Sequence, residues 1–315
     1  MGRYLVTGGA GFIGSHLVDY LVEQGYEVSV VDNLATGKAA NLAHLKGSIA
    51  FYEVDIVDLE SIRPAFEGVE VVFHQAALPS VPRSLKDPVA TTQTNVLGTL
   101  HVLFAALGAG ARRVVLASSS SVYGANPALP KQEDMLPQPL SPYAASKLAC
   151  EAYASAFAHS FGLETVCLRY FNVFGPRQDP RSQYSAAIPI FLRRLLSGEA
   201  PIIYGDGEQT RDFTYVENVV QANWLAATAP EAPGKVFNIA CGESISVNQL
   251  VDRLNELVGT SIAPDYSPAR TGDVRHSLAD ISRAREILGY TAPVSFDEGL
   301  AYTVQWFLDH KSELL

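Results

Sequence analysis

Short runs of β-branched and other apolar residues alternate with longer segments of helical period through the first half of the chain. The strand candidates are residues 4–7, 27–31, 49–54, 69–74, 113–117 and 164–169. Between them lie helix-length stretches, including 12–23, 88–107 and 142–161. Apolar strands separated by helices are what a parallel sheet covered on both faces requires, so an α/β, doubly wound parallel sheet is predicted. From about residue 171 the rhythm changes. Gly- and Pro-bearing loops at 174–177 and 205–207 separate shorter helices at 187–197 and 247–258. This predicts a smaller C-terminal α/β domain over 171–315 beside a first domain over 1–170. Segment 213–240 carries one helix pattern and one strand pattern, 235–239, and is expected to return to the first domain.

Composition narrows the function classes. A chain of 315 residues, 48% hydrophobic and 18% charged, can bury a sizeable core. Its formal charge of -10 and scattered Lys and Arg speak against a nucleic-acid or anionic-membrane partner. Cys150, Cys167 and Cys241 are too few and too dispersed for a disulfide framework or a zinc site, and are expected to be buried thiols. No metal is expected. No run approaches the roughly 18 apolar residues of a membrane span, and the first strand begins too early to leave room for a signal peptide. Cytoplasmic residence is the expectation.

Phosphate recognition must then rest on local devices. Gly8-Gly9-Ala10-Gly11-Phe12-Ile13-Gly14 follows the first strand and opens the first helix. Gly8, Gly11 and Gly14 have the spacing that lets a backbone turn tightly, approach a pyrophosphate and aim free N–H groups at it. Asp32, in Val31-Asp32-Asn33 at the end of the second strand, stands where a dinucleotide presents its adenosine ribose. A carboxylate there accepts from both ribose hydroxyls and repels a 2′-phosphate, favouring NAD over NADP. Asp55-Ile56, after the third strand, is placed to contact adenine.

Ser141-Pro142-Tyr143-Ala144-Ala145-Ser146-Lys147 begins a helix, with Ser141 as N-cap and Pro142 at the first position. Tyr143 and Lys147, four apart, share one face, so an ammonium can lie near a phenol that would serve as base. The fifth strand runs into Ser118-Ser119-Ser120-Ser121-Val122-Tyr123-Gly124. Its hydroxyls therefore reach the carboxyl edge of the sheet, where doubly wound folds bind ligands, and any of them could relay a proton.

Together with His74-Gln75-Ala76-Ala77, Asn95 and Leu168-Arg169-Tyr170-Phe171-Asn172-Val173, these motifs resemble the extended short-chain dehydrogenase/reductase superfamily over nearly the whole length. The resemblance implies a Rossmann domain and selects Ser119, four residues before Tyr123, as the catalytic serine beside Tyr143 and Lys147. It adds Phe12, Ile13, Asn33, Gln75, Ala76, Ala77, Asn95, Ser118 and Tyr170 to the cofactor contacts. Within the superfamily the chain is similar to NAD-dependent UDP-hexose 4-epimerases. Residues 74–84 are similar to the branch acting on UDP-N-acetylhexosamines. That implies a UDP-sugar held by Ser80, Ser119, Ser120, Tyr143, Asn172, Ala186, Ala187, Tyr204, Arg211, Arg270 and Asp273. Ser277 falls at the family's gatekeeper position, where a small residue admits an N-acetyl group. A homodimer joined through residues 88–107 and 142–161 is also implied. A 4,6-dehydratase would carry Asp-Glu where this chain has Ser120-Ser121. A UDP-glucuronate 4-epimerase needs a cation near C6, for which Arg83 is a candidate. A non-catalytic NAD-binding regulator typically lacks the Tyr and Lys.

Overall fold

The computed structural model describes residues 2–180, 186–269 and 274–314. Seven parallel strands form the central sheet: β1 (Arg3–Thr7), β2 (Glu27–Val31), β3 (Ile49–Tyr52), β4 (Val71–His74), β5 (Arg113–Ser119), β6 (Glu164–Tyr170) and β7 (Val236–Ile239). Their order is β3-β2-β1-β4-β5-β6-β7. The strand order reverses between β1 and β4, and such a reversal opens a crevice at the carboxyl ends. The strands are apolar on both sides because helices cover both faces. One core packs Val6, Leu17, Val30 and Phe73 on one side, another packs Leu5, Val31, Val72 and Leu103 on the other.

The principal helices are α1 (Phe12–Glu23), α2 (Gly98–Gly108), α3 (Pro142–Phe161), α4 (Ala187–Leu196), α5 (Val216–Thr228), α6 (Val247–Val258) and α7 (Phe296–Asp309). The seventh strand of the sheet is the one expected at 235–239, and it pairs with β6. The helical stretch expected at 88–107 is observed without a break from Pro88 to Gly108. A helix at Pro88–Thr92 passes through a π-helical turn at Gln93–Leu97 into α2. Strand β3 is shorter than its apolar run, ending at Tyr52.

Helix α3 owes its bounds to local chemistry. The Ser141 hydroxyl accepts from the Ala144 N–H at 3.2 Å, Pro142 fills the first turn, and Gly162 ends the helix with a left-handed φ of 72°. The C-terminal part has its own core, in which Phe174, Phe191, Phe213, Leu250, Phe296 and Phe307 meet between α4, α6 and α7. Among the described residues no helix is long and apolar enough to cross a membrane, and no cluster of metal-binding side chains occurs.

Candidate active site

The carboxyl ends of β1, β2, β4, β5 and β6 deliver the predicted residues to one edge of the sheet. At the reversal point the Thr7 hydroxyl and His74 Nδ1 lie 2.7 Å apart, and His74 Nε2 lies 2.8 Å from Thr99 Oγ1. Thr99 spends its own proton on the Asn95 carbonyl, so His74 donates from Nε2 and accepts from Thr7. Burial, reinforced by the Lys147 ammonium, pulls the His74 pKa down to about 3 and keeps the ring neutral.

Two of the three loop glycines have no room for a side chain. Gly8 has φ +70°, and a Cβ on it would lie 2.6 Å from the Ala76 nitrogen. One on Gly14 would lie 2.1 Å from the Gly8 oxygen. A Cβ on Gly11, by contrast, meets only the Gly8 oxygen, at 3.1 Å. Gly11 caps α1 without any side-chain hydrogen bond, and the first turn carries no acidic residue. The free N–H groups of α1, followed by half-buried Phe12 and Ile13, are thus open to an anion.

Asp32, 7% exposed, accepts from the Ala10 N–H at 2.9 Å and the Leu34 N–H at 2.8 Å. Burial pushes its carboxyl pKa up, against these two bonds. Each oxygen keeps capacity for a ribose hydroxyl. Gly37 guards that face, since a Cβ there would stand 2.9 Å from both Asp32 oxygens. Sequence reasoning missed Gly37, because its meaning depends on a carboxylate five residues away. Asn33 reaches Asp55 at 2.7 Å. Ile56 is buried against Gly98, where a Cβ would lie 2.5 Å from its Cδ1.

Other predicted cofactor residues turn out to hold one another. Tyr170 Oη lies within 3.2 Å of Gln75 Oε1, and the Gln75 amide donates to Asn223 Oδ1 at 2.9 Å. Asn223, on α5, donates back to Tyr170 Oη at 2.8 Å. Asn95, in the π-helical turn, accepts from the Leu78 N–H at 2.8 Å and donates to Ser146 Oγ at 2.9 Å. It thereby ties the loop of Gln75, Ala76 and Ala77 to α3. Ser118, at the end of β5, is buried, and its hydroxyl donates to Glu151 at 2.5 Å.

Tyr143 is half-buried on the first turn of α3. Lys147 is 5% exposed, and its Nζ donates to the Ala117 carbonyl at 2.8 Å, which pins α3 to the end of β5. The Ser119 hydroxyl accepts from the Ser121 N–H at 3.2 Å, an arrangement that leaves its proton available for transfer. Ser120 opens the 3-10 turn that follows.

A second site lies in the C-terminal part. A cavity of about 350 Å³ brings together Asn172, Ala186, Ala187, Tyr204 and Arg211, all five expected from the sequence, with Phe213 and Val247 as apolar wall. Asn172 donates to the Asp212 carbonyl at 3.0 Å, and Arg211 donates to the Arg275 carbonyl at 3.1 Å. Asp212, which sequence reasoning did not single out, is fully buried. It takes N–H bonds from Cys241, Gly242 and Ala279 at 3.0, 3.1 and 3.1 Å, and burial pushes its pKa up to about 6. It moors the loops around the cavity, and the one signal for it is an acid in the apolar stretch after Arg211. Ser277 is half-buried and is not among the residues lining this cavity; its N–H donates to the carbonyl of Thr210, the neighbour of Arg211, at 3.1 Å. Ser80 caps the short helix Val81–Lys86 from a left-handed φ of 97°. Arg270 and Asp273 lie outside the described residues.

The fold is that of an extended short-chain dehydrogenase/reductase, with a crevice at the strand-order reversal, Ser119, Tyr143 and Lys147 on β5 and α3, and a cavity in the C-terminal part. Residues 4–240 match the model of the NAD dependent epimerase/dehydratase family, and the chain belongs to that family. It is 43% identical to a UDP-glucose 4-epimerase of Mycolicibacterium smegmatis, over 97% of this chain and 98% of the other. A UDP-glucuronate 4-epimerase of Thermodesulfobacterium geofontis is 36% identical, over 97% and 96%. Among solved structures, UDP-glucose 4-epimerase from Thermotoga maritima with UDP-glucose aligns with TM-score 0.94 and 43% identity, covering 98% of this chain and 99% of that one. UDP-N-acetylglucosamine 4-epimerase from Methanobrevibacter ruminantium, in complex with UDP-N-acetylmuramic acid, gives 0.94 and 41%, with the same coverage.

Proposed function

We propose that the protein inverts C4 of a UDP-hexose, interconverting UDP-glucose with UDP-galactose and their N-acetyl counterparts. The observation that carries this reading is the cavity of about 350 Å³ around Asn172, Tyr204 and Arg211, separate from a crevice whose open glycine suits a dinucleotide. A cavity for the nucleotide, distinct from the dinucleotide crevice, fits a reaction in which a nucleotide anchors the sugar while Ser119, Tyr143 and Lys147 act on the hexose. Arg211 and the region of Arg270 and Asp273 suit a diphosphate and a ribose. Tyr143, as phenolate, takes the O4 proton directly or through Ser119, and later returns it. Lys147 holds the helix bearing Tyr143 against β5. NAD, when bound against Gly11 and Asp32, supplies the acceptor and donor for the C4 hydrogen. A keto-hexose held chiefly through its nucleotide can turn about the diphosphate link and present its other face, so that configuration inverts.

We assign substrate width to Ser277, whose small side chain would admit an acetamido group at C2 where a tyrosine would exclude it. Incubation of the protein with UDP-glucose, UDP-N-acetylglucosamine and UDP-glucuronate, followed by separation of C4 epimers, tests the reading. Conversion of the first two supports it, and conversion of UDP-glucuronate alone selects the uronate reading, to which the relative from Thermodesulfobacterium geofontis points. No conversion of any would leave a regulator. Ser277→Tyr should abolish N-acetyl turnover and leave UDP-galactose turnover within a few-fold, because only one substrate meets the phenol. Equal loss of both would refute the assignment of substrate width to Ser277.

The same proposal includes a homodimer and a reducing, cytoplasmic setting. The first is supported by exposed apolar side chains of Val89, Leu97, Phe104, Tyr153 and Phe161 along residues 88–107 and α3. The second is supported by free thiols at Cys150 and Cys167, which are buried, and at Cys241, which is only partly so. Sedimentation at micromolar concentration tests the dimer.

A further inference from the structure

Tyr143, Lys147 and Glu151 stand at successive four-residue steps along α3 and so share a face. The first two belong to the proposed chemistry. Glu151, 8% exposed, faces Arg169 on β6, which meets it with both arms of its fork, Nε to Oε1 at 2.9 Å and Nη2 to Oε2 at 2.7 Å. Glu151 Oε1 also accepts the Ser118 hydroxyl at 2.5 Å. Consecutive residues of β5, Ala117 and Ser118, are thus fastened to consecutive turns of α3 by Lys147 and Glu151. The next residue along is Ser119.

The far side of the Ser119 turn is held by the same arginine. The Arg169 guanidinium lies 4.7 Å from the ring centre of Tyr123, the last residue of the 3-10 turn, and the Tyr123 hydroxyl donates to Asn238 Oδ1 at 2.6 Å. One buried ion pair therefore brackets the segment from Ser118 to Tyr123. Such a pair gains little net stability over apolar packing, because both charges must be desolvated, and geometric definition is what it can supply instead.

We propose that Glu151, anchored by Arg169, is a positioning residue for the reaction. Through Ser118 it sets Ser119 against the helix that carries Tyr143. The inference rests on the epimerase reading, since it assigns Ser119 and Tyr143 to one proton path.

Ser118→Ala is the incisive variant, because it removes one link and leaves the ion pair complete. In the NAD-loaded enzyme acting on UDP-galactose, kcat should fall about tenfold, as expected for a small misplacement of a catalytic group, with KM unchanged within twofold. Ser118→Thr returns the hydroxyl at a strand position that accepts a β-branched residue, and should recover most of kcat. Amide hydrogen exchange supplies a reading that needs no turnover. Ser118→Ala should speed exchange in residues 119–124 and leave residues 8–14 unchanged. Wild-type kcat in Ser118→Ala, a KM effect with kcat intact, a loss that Thr does not rescue, or unchanged exchange in 119–124 would each overturn the proposal. Inactivity of the wild-type protein on every UDP-hexose would instead sink the epimerase reading, while the exchange comparison would still decide the positioning.

Discussion

Gly11→Ala separates the cofactor role of the glycine loop from its structural role. Gly11 has φ -76° and ψ -179°, an extended conformation open to any residue. The added Cβ meets one protein atom, the Gly8 oxygen at 3.1 Å, and a shift of a few tenths of an ångström relieves that. Reduced freedom of the unfolded chain favours Ala by about 0.4–1 kcal/mol. Loss of the better N-cap residue opposes it by a similar amount, about 1 kcal/mol. The net change should be within about 1 kcal/mol, which for a chain of this size moves Tm by no more than about 4 °C. The methyl, however, is added at the glycine that in such loops lets the backbone approach a pyrophosphate closely. Losing even one hydrogen bond to a charged group costs about 1.5–3 kcal/mol, or roughly 10- to 150-fold in affinity. Calorimetric titration of cofactor-stripped protein with NAD, beside thermal melts without NAD, reads both quantities. Gly14→Ala is the control: its Cβ would lie 2.1 Å from a backbone oxygen, so its melt should collapse. NAD affinity in Gly11→Ala within twofold of wild type, or a melt as damaged as that of Gly14→Ala, would refute the reasoning.

Tyr143→Phe should lower kcat by about 10²- to 10⁴-fold while UDP-sugar binding survives; near-normal turnover would show that another group is the base. Asp32 should make NAD bind well ahead of NADP, and equal activation of stripped enzyme by both at the same concentration would remove the assigned role. His16 donates to the Pro176 carbonyl at 3.0 Å, and burial brings its pKa from 6.5 down to about 4. The folded state thus resists its protonation, so its stabilising contribution is complete above pH 6.5 and is lost as pH falls toward 4. His16→Gln should flatten the acid side of a stability–pH curve by up to about 1.4 kcal/mol per pH unit in that window. An unchanged slope in denaturant titrations would count against a neutral His16.

Much of this protein is written in short-range signals. The bounds of α1, α3 and α6 follow from residues within a turn of their ends: Gly11 before α1, Ser141-Pro142 and Gly162 around α3, and Ser246 with Gln249 and Gly259 around α6. The four-residue step from Tyr143 to Lys147 and the spacing of Gly8, Gly11 and Gly14 are local in the same sense, since helix periodicity and backbone sterics act over a few residues. Tertiary structure decided where each polar side chain ended up. Resemblance could single out Ser119, but no local signal told that Ser118 would be committed to a buried ion pair, which only the arrival of Glu151 and Arg169 decides. Gln75 and Tyr170 hold each other because α5 brings Asn223 between them. The cavity gathers residues from 172 to 247 that share no local pattern. The physical reason is desolvation: a buried polar group must find a partner wherever the chain has brought one, and which partner arrives depends on how distant segments pack.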